Sequence, residues 1–319
     1  FAVVQAYAGT LKETGETMLP MKAGILSVVV NFCINYVLIF GKFGMPVLGA
    51  RGAAIGTVAA RIVEMVIVVG WVHTKKDRNP YVKGLYRSMK IPAGLAKEIA
   101  IIGVPAGIQG MLFSISNVML QSSINSFGTS VMDGNGAAAS LEGFVYATMN
   151  SVAQTAGSFV SANYGAKKWK NIRNTAFYAA ALVMLFWGIS GGIVYFCRQP
   201  LLSLYLGADD TAAFAAAGER MLAVCCTYFL CGLMDTFAYS LRGIGRSFLS
   251  MSVCLAGVCG LRLAWIYLIF PRPAFHSIYS LMLSYPISWV ITGAVEAVLF
   301  FVVLRKERKN NLQAPVTTL

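Results

Sequence analysis

Residues 101–127 read IIGVPAGIQGMLFSISNVMLQSSINSF, a run without one charged side chain. A helix needs ~20 consecutive apolar residues to cross the hydrocarbon of a bilayer, and this run exceeds that length. It reads as a membrane-spanning helix. Working outward from it, comparable apolar runs lie at 23–40, 53–72, 136–161, 176–197, 218–240, 248–270 and 277–304, with a further apolar fragment at 1–10. Hydrophobic residues make up 57% of the chain and charged residues 12%, whereas a soluble domain carries about 25% charged residues. The sequence is that of an all-α polytopic membrane protein with eight complete spans, and no second, soluble domain is visible in it.

The formal net charge of +13 is read from its distribution. When the segments between spans are assigned alternately to two sides, nineteen Lys and Arg fall on one side, in 11–22, 73–97, 167–173, 242–246 and 305–309. Only Lys42, Arg51, Arg198, Arg220 and Arg272 fall on the other. Basic loops stay on the cytoplasmic side of a membrane, so these segments and the C-terminal tail are expected there, in the plasma (inner) membrane. The charge is accounted for by orientation and by contact with lipid headgroups, and no nucleic-acid partner is expected. The seven cysteines sit in or beside apolar runs without C-x-x-C spacing and read as small packing residues.

A weak repeat connects the two ends of the chain. At an offset of 230, Leu11, Gly15, Leu19 and Met21 fall on Leu241, Gly245, Leu249 and Met251, and Lys12 and Thr17 on Arg242 and Ser247. Both copies sit in turns that end one span and begin the next. Six spans separate them, so both copies have the same orientation, as in transporters built of two equivalent halves. If the second half starts near residue 98, the first is expected to start about 130 residues before Phe1, which would leave three spans and most of a fourth outside the chain.

Polar side chains are costly on a lipid face, so polar rows inside spans are expected to face a cavity or another helix. Residues four apart share a helix face. One row is Asn117, Gln121 and Asn125, with Ser114 beside it and Gln109 at its edge; a second is Glu142, Tyr146, Asn150 and Gln154; the span at 218–240 adds Tyr228, Cys231 and Asp235, with Arg242 beyond. These rows read either as the lining of a central cavity or as interhelical hydrogen bonding. Glu142 and Asp235 stand out, because an ionised carboxylate near the centre of a span costs roughly 2.5–3.5 kcal/mol. A carboxyl group taken out of water holds its proton more tightly, which suits a proton carrier. Arg262, in mid-span, is expected to pair with a carboxylate or with helix-end carbonyls, in a structural or gating role. Arg61 and Glu64 are expected to form a local ion pair, and Glu296 to snorkel to the cytoplasmic surface. Pro105 and Pro286 read as bends.

The segments VVNFCINYVLIFGKFGMPVLGARGAAIGT (29–57), GVPAGIQGMLFSISNVMLQSSINSFG (103–128), EGFVYATMNSVAQTAGSFVSANYGAKK (142–168), TYFLCGLMDTFAYSLRGIG (227–245) and LRLAWIYLIF (261–270) together resemble the fifth to eighth, tenth and eleventh spans of the multidrug and toxic-compound extrusion (MATE) family. That resemblance implies two pseudo-symmetric six-helix lobes in the intact protein. Here 1–72 would hold the end of the N-terminal lobe (partial helix 4, helices 5 and 6), 73–97 a cytoplasmic linker, 98–309 the C-terminal lobe (helices 7–12) and 310–319 a cytoplasmic tail. It further implies an antiporter that exports cationic or amphiphilic compounds in exchange for H⁺ or Na⁺, without other cofactor, in contact with membrane lipids and monomeric. Glu142 and Asp235 would then carry the coupling ion, while Gln109, Asn117, Gln121, Tyr146, Asn150 and Tyr228 would line the cavity. A flippase for lipid-linked sugars is the alternative within the wider superfamily, although its pyrophosphate cargo would call for more basic residues in the spans.

Signals for catalysis are poor. His73 and His276 lack the spacing of a metal site or an acid/base pair. The G-x-G of DGNGAAAS (133–140) lacks the Lys-Ser/Thr ending of a phosphate loop and is expected to be an external turn. No enzymatic activity is expected.

Overall fold

The long apolar runs all become helices, and the described secondary structure is helical throughout. The computed structural model describes residues 1–75, 79–82, 91–207 and 209–313, and the chain divides into two units, Phe1–Pro92 and Ala93–Leu319.

The first unit contains α1 (Ala2–Glu13), α2 (Met18–Phe40) and α3 (Ala50–Thr74). Small residues set the approach of α2 to α3: Gly52 lies against the Leu38 backbone, Gly56 against Asn35, and Ser27 Oγ donates to the Ala60 carbonyl at 3.0 Å. These pairings run in opposite directions along the chain, so the two helices are antiparallel. Leu11, Ala23, Val68 and Val72 form the buried core. Arg61 and Glu64 make the expected ion pair, at 2.6 Å.

The second unit contains α4 (Ala93–Asn125), α5 (Thr129–Gly165), α6 (Trp169–Phe196), α7 (Arg198–Leu202), α8 (Thr211–Ala223), α9 (Tyr228–Gly243), α10 (Ser247–Cys254), α11 (Leu261–Ala264) and α12 (Ile278–Gln313). Helices α8 and α9 are two halves of one span, separated by a 3₁₀ turn at Cys225–Thr227, where the Thr227 hydroxyl donates to the Ala223 carbonyl at 2.6 Å. The span that begins with α10 contains two π-helical stretches, Leu255–Gly260 and Trp265–Ile269, on either side of α11. Pro105 and Pro286 lie inside α4 and α12. Among the described residues, seven helical stretches are long and apolar enough to cross a membrane. The eighth expected span falls within α5, whose 37 residues are ample in length. Its composition is less apolar because it is the core helix of the unit, packed against α6, α8 and α9, and small or polar residues are what let helices approach closely.

The segment 133–140 is therefore no turn: it is the first part of α5. Its glycines serve packing. A Cβ on Gly134 would overlap the Ala213 carbonyl oxygen of α8, whereas one on Gly136 would meet nothing within 4 Å. Gly134→Ala is expected to destabilise by about 1–3 kcal/mol, the usual cost of overpacking, and Gly136→Ala to be neutral or stabilising, since alanine is the better helix former. Thermal melts of the two variants in detergent check this, and a Gly134→Ala protein as stable as its parent would contradict the close crossing.

The repeat is visible in the backbone. Gly15 ends the α1 turn at φ +92° and Gly245 ends the α9 turn at φ +81°, a region that side chains other than glycine rarely enter. Gly15 N–H donates to Lys12 O at 3.1 Å and Glu16 N–H to Leu11 O at 2.8 Å. At the other copy, Gly245 N–H donates to Arg242 O at 2.8 Å and Arg246 N–H to Leu241 O at 3.0 Å. Leu11 and Leu241 are both fully buried. The offset of 230 thus joins two turns with the same hydrogen bonds.

Two basic turns of the second unit and the basic end of α12 meet at one end of it, as alternation of sides requires. Tyr164, in the last turn of α5, donates to Glu307 at 3.2 Å, and Arg246, after α9, pairs with Glu307 at 2.6 Å.

Candidate functional site

Three polar clusters lie in the spans of the second unit, and α5 carries two of them. Its row of Glu142, Tyr146, Asn150 and Gln154 forms at the expected four-residue spacing. The neighbouring helices divide it.

At one end Glu142 is buried against α8. Arg220 donates to Glu142 Oε2 through Nε at 3.0 Å and Nη2 at 2.8 Å, and through Nη1 to Asn135 Oδ1 at 2.7 Å. Asn135 in turn donates to Gln121 Oε1 at 3.3 Å, and Gln121 to Asn125 Oδ1 at 2.9 Å. The Arg220 guanidinium also lies 5.7 Å from the centre of the Tyr285 ring. One chain of hydrogen bonds therefore ties α4, α5 and α8 together, with α12 beneath the arginine. Glu142 Oε1 is buried and has no hydrogen-bond partner among the described residues. Sequence reading counted Arg220 among the external loop charges, and that assignment is wrong. The α8 helix already starts at Thr211, capped by Asp210 Oδ1, which accepts from Ala213 N–H at 3.0 Å, so Arg220 sits well inside a helix. The clue was available: a buried Glu142 requires a cation, and the alanine-rich 211–223 is a strong helix former.

At the other end Asn150 turns to α9. Its amide donates to Asp235 Oδ2 at 3.3 Å and to the Tyr146 hydroxyl at 3.0 Å, while Gln154 donates to Asn150 Oδ1. A close crossing sets this contact, for a Cβ on Gly243 would come within 2.6 Å of the Gly157 carbonyl oxygen. Among the described residues no cationic side chain lies at ion-pair distance from Asp235. Arg242, two turns on, donates instead to Gln109 Oε1 of α4 at 2.7 Å. Asp235 is half-buried and Tyr146 partly exposed. Tyr228 extends the patch in aromatic character, its ring 6.0 Å from Tyr146 and 5.1 Å from Trp289. Asn117 is exposed on α4.

The third cluster corrects two expectations. Glu296 does not snorkel: it is fully buried, accepts from Cys254 Sγ at 3.3 Å through Oε1, and has no hydrogen-bond partner at Oε2 among the described residues. It belongs to the buried α12 row Ser284, Ser288, Thr292, Glu296, Phe300 and Leu304, at strict four-residue spacing, which turns it away from the surface. Among the described residues Arg262 finds neither a carboxylate nor helix-end carbonyls. Its Nε donates to Ser288 Oγ at 3.4 Å, and its guanidinium lies 4.1 Å from the Tyr285 ring centre and 5.9 Å from that of Trp289, so aromatic faces supply much of its stabilisation.

The structure thus separates the two carboxylates that sequence reading singled out. Glu142 is locked to a buried arginine; Asp235 is held by the neutral Asn150 amide, with Tyr146 beside it, and by no ion pair among the described residues.

Helices of membrane-spanning length closed around polar networks define a multi-pass helical membrane protein. The MatE family profile matches residues 105–268, just over half of the chain. The chain belongs to the MatE family. It is 26% identical over 241 residues to the probable multidrug resistance protein YoeA of Bacillus subtilis, covering 75% of this chain and 51% of YoeA. It is 28% identical over 307 residues to a probable multidrug resistance protein NorM of Streptococcus pneumoniae, covering 92% and 63%. The chain spans about half the length of several curated relatives it matches. Among solved structures it resembles a mutant of the Vibrio cholerae MATE transporter VcmN, with TM-score 0.80 at 20% identity over 95% of this chain and 66% of that one. It also resembles a MATE protein in complex with MaL6, with TM-score 0.85 at 16% identity over 96% and 67%.

Proposed function

We propose that the protein to which this chain contributes is a secondary efflux antiporter for cationic or amphiphilic compounds, driven by H⁺ or Na⁺, and that Asp235 carries the coupling ion in the C-terminal lobe. The observation behind this reading is the environment of Asp235: a half-buried carboxylate inside a span, without an ion-pair partner among the described residues and bonded to Asn150. Such a group can exchange a small cation for a hydrogen bond without first breaking a salt bridge. Asn150 and Tyr146 lie beside it and Tyr228 extends the patch from Tyr146, offering the hydroxyl, amide and ring surfaces that would receive a cationic substrate. Glu142 is given the structural role that its pairing with Arg220 suits. Gln109, Gln121 and Arg262 are likewise assigned to bracing, each being engaged by a neighbouring helix or ring.

Transport would proceed by alternating access, with ion binding favouring one orientation of the two lobes and substrate the other. The names of the curated relatives, probable multidrug resistance proteins, support the substrate class. The excess of Lys and Arg in alternate loops supports a cytoplasmic C-terminus in the inner membrane. The flippase alternative is less well served, because Arg220 and Arg262, the two buried arginines among the described residues of the C-terminal unit, are already engaged. The test is efflux of a fluorescent cation from vesicles containing the complete gene product, under a proton gradient and a sodium gradient imposed separately. Efflux driven by neither gradient would overturn the reading.

A further inference from the structure

At the end of the second unit where the basic turns meet, the start of α6 and the end of α12 enclose a groove of about 940 Å³. Five cations line it, Lys168, Lys170 and Arg173 from α6 and its cap, and Arg305 and Arg308 from α12, and no acidic side chain does. None of the five has an ion-pair partner among the described residues. The nearby carboxylate, Glu307, is turned instead toward Arg246 and Tyr164, a contact that also holds the end of α12 against the α5 and α9 turns. Like charges gathered in one concavity repel each other unless an anion joins them. The N-terminus of the 28-residue α6 opens on the same place and adds the positive end of its dipole.

The part of the groove nearer the spans has an apolar wall. Phe177, Phe301 and Leu304 line it, with the Phe177 and Phe301 rings 5.9 Å apart, and Phe177 remains exposed. These residues continue into the spans, where the groove passes from its charged mouth to the flank of the bundle. A soluble phosphate would satisfy the cations and leave the aromatic wall wet.

We propose that this groove binds an anionic phospholipid of the leaflet it faces, the cations holding its phosphate and the aromatic wall its acyl chains. Guanidinium groups suit phosphate oxygens because their N–H fork matches two of them at once, and basic pockets between spans are the usual way in which helical membrane proteins select anionic headgroups. Bound there, the lipid would bridge α6 to α12 and neutralise the repulsion between them. The inference is independent of the coupling ion and of the exported compound.

The test is native mass spectrometry of the complete gene product offered phosphatidylglycerol, phosphatidylcholine or soluble sn-glycerol 3-phosphate. The expected result is retention of phosphatidylglycerol over phosphatidylcholine, reduced on the order of tenfold or more in the triple variant Lys168→Gln, Arg173→Gln, Arg305→Gln. It should be unchanged in a control that removes three exposed cations elsewhere, Lys12→Gln, Lys22→Gln, Arg51→Gln. The groove cations are exposed, so the triple variant should keep its melting temperature without added lipid; a large drop would give them a structural role and overturn the proposal. Equal retention of both lipids, equal loss in both triple variants, or displacement of the lipid by glycerol phosphate would do the same.

Discussion

Arg220→Ala is expected to be the most destabilising single substitution in the C-terminal unit, by about 3–5 kcal/mol, the cost of breaking a buried ion pair by removing one partner. The guanidinium makes two hydrogen bonds to Glu142 and one to Asn135, and its loss strands a carboxylate that is 1% exposed. The carboxylate has no alternative cation at hand. Glu142→Gln should do less damage, since an amide oxygen can still accept from Arg220. Replacing both partners by apolar residues of similar volume, as in Glu142→Leu with Arg220→Met, should recover most of the stability, because neither charge then needs desolvating. Thermal melts in detergent read all three. The comparison separates two roles for Glu142: a coupling carboxylate would lose transport in the double variant while a structural one would keep it. An Arg220→Ala protein that melts with its parent would remove the ion pair from the account.

Much of the fold was legible in the sequence, because span location depends on local composition alone. A charge-free run such as 101–127 has few alternatives, and each run identified in this way is helical over most of its length, with 218–240 broken by the turn between α8 and α9. The errors occur where local composition misleads. The segment 133–140 looked like a turn because glycine is common in turns, yet inside a membrane bundle a glycine is equally a place where two backbones meet, as Gly134 meets Ala213. Helix α8 was only partly recognised, because the span was begun at 218 while the helix starts at Thr211, and Arg220 was counted with the external charges although it falls inside that range. The partner that makes Arg220 tolerable is 78 positions away along the chain.

The site was legible in its parts and not in its pairings. Four-residue spacing predicted the α5 row correctly, since that is a property of one helix. Which members face α8 and which face α9 depends on the crossing of three helices, and no single-helix pattern contains it. Glu296 shows the limit most clearly. Its closeness to the cytoplasmic end suggested a side chain reaching for water, while the row of Ser284, Ser288 and Thr292 at the same spacing already marked that face of α12 as the buried one.

Asp235→Asn is expected to abolish gradient-driven efflux, bringing the rate in vesicles down to the passive leak of protein-free vesicles, while leaving the fold intact. The reason lies in what surrounds the carboxylate. The Asn150 amide is its hydrogen-bond partner, and an asparagine oxygen can accept the same bond, so the contact between α5 and α9 survives. What the substitution removes is the negative charge, and with it, on the proposed role, the means of binding one cation at a time. Asp235→Glu should retain part of the activity, since it keeps the charge and only displaces it. Substrate binding measured without a gradient should persist in Asp235→Asn, because the Tyr146 and Tyr228 rings remain. A protein that still binds but no longer exchanges is the signature of lost coupling, as opposed to a damaged cavity. Measured under proton and sodium gradients separately, the wild-type protein identifies the ion and the variant tests its site. Should Asp235→Asn transport as well as the wild type under the driving gradient, the coupling role assigned to this lobe would be wrong, and the half-buried carboxylate would be no more than another tie between α5 and α9.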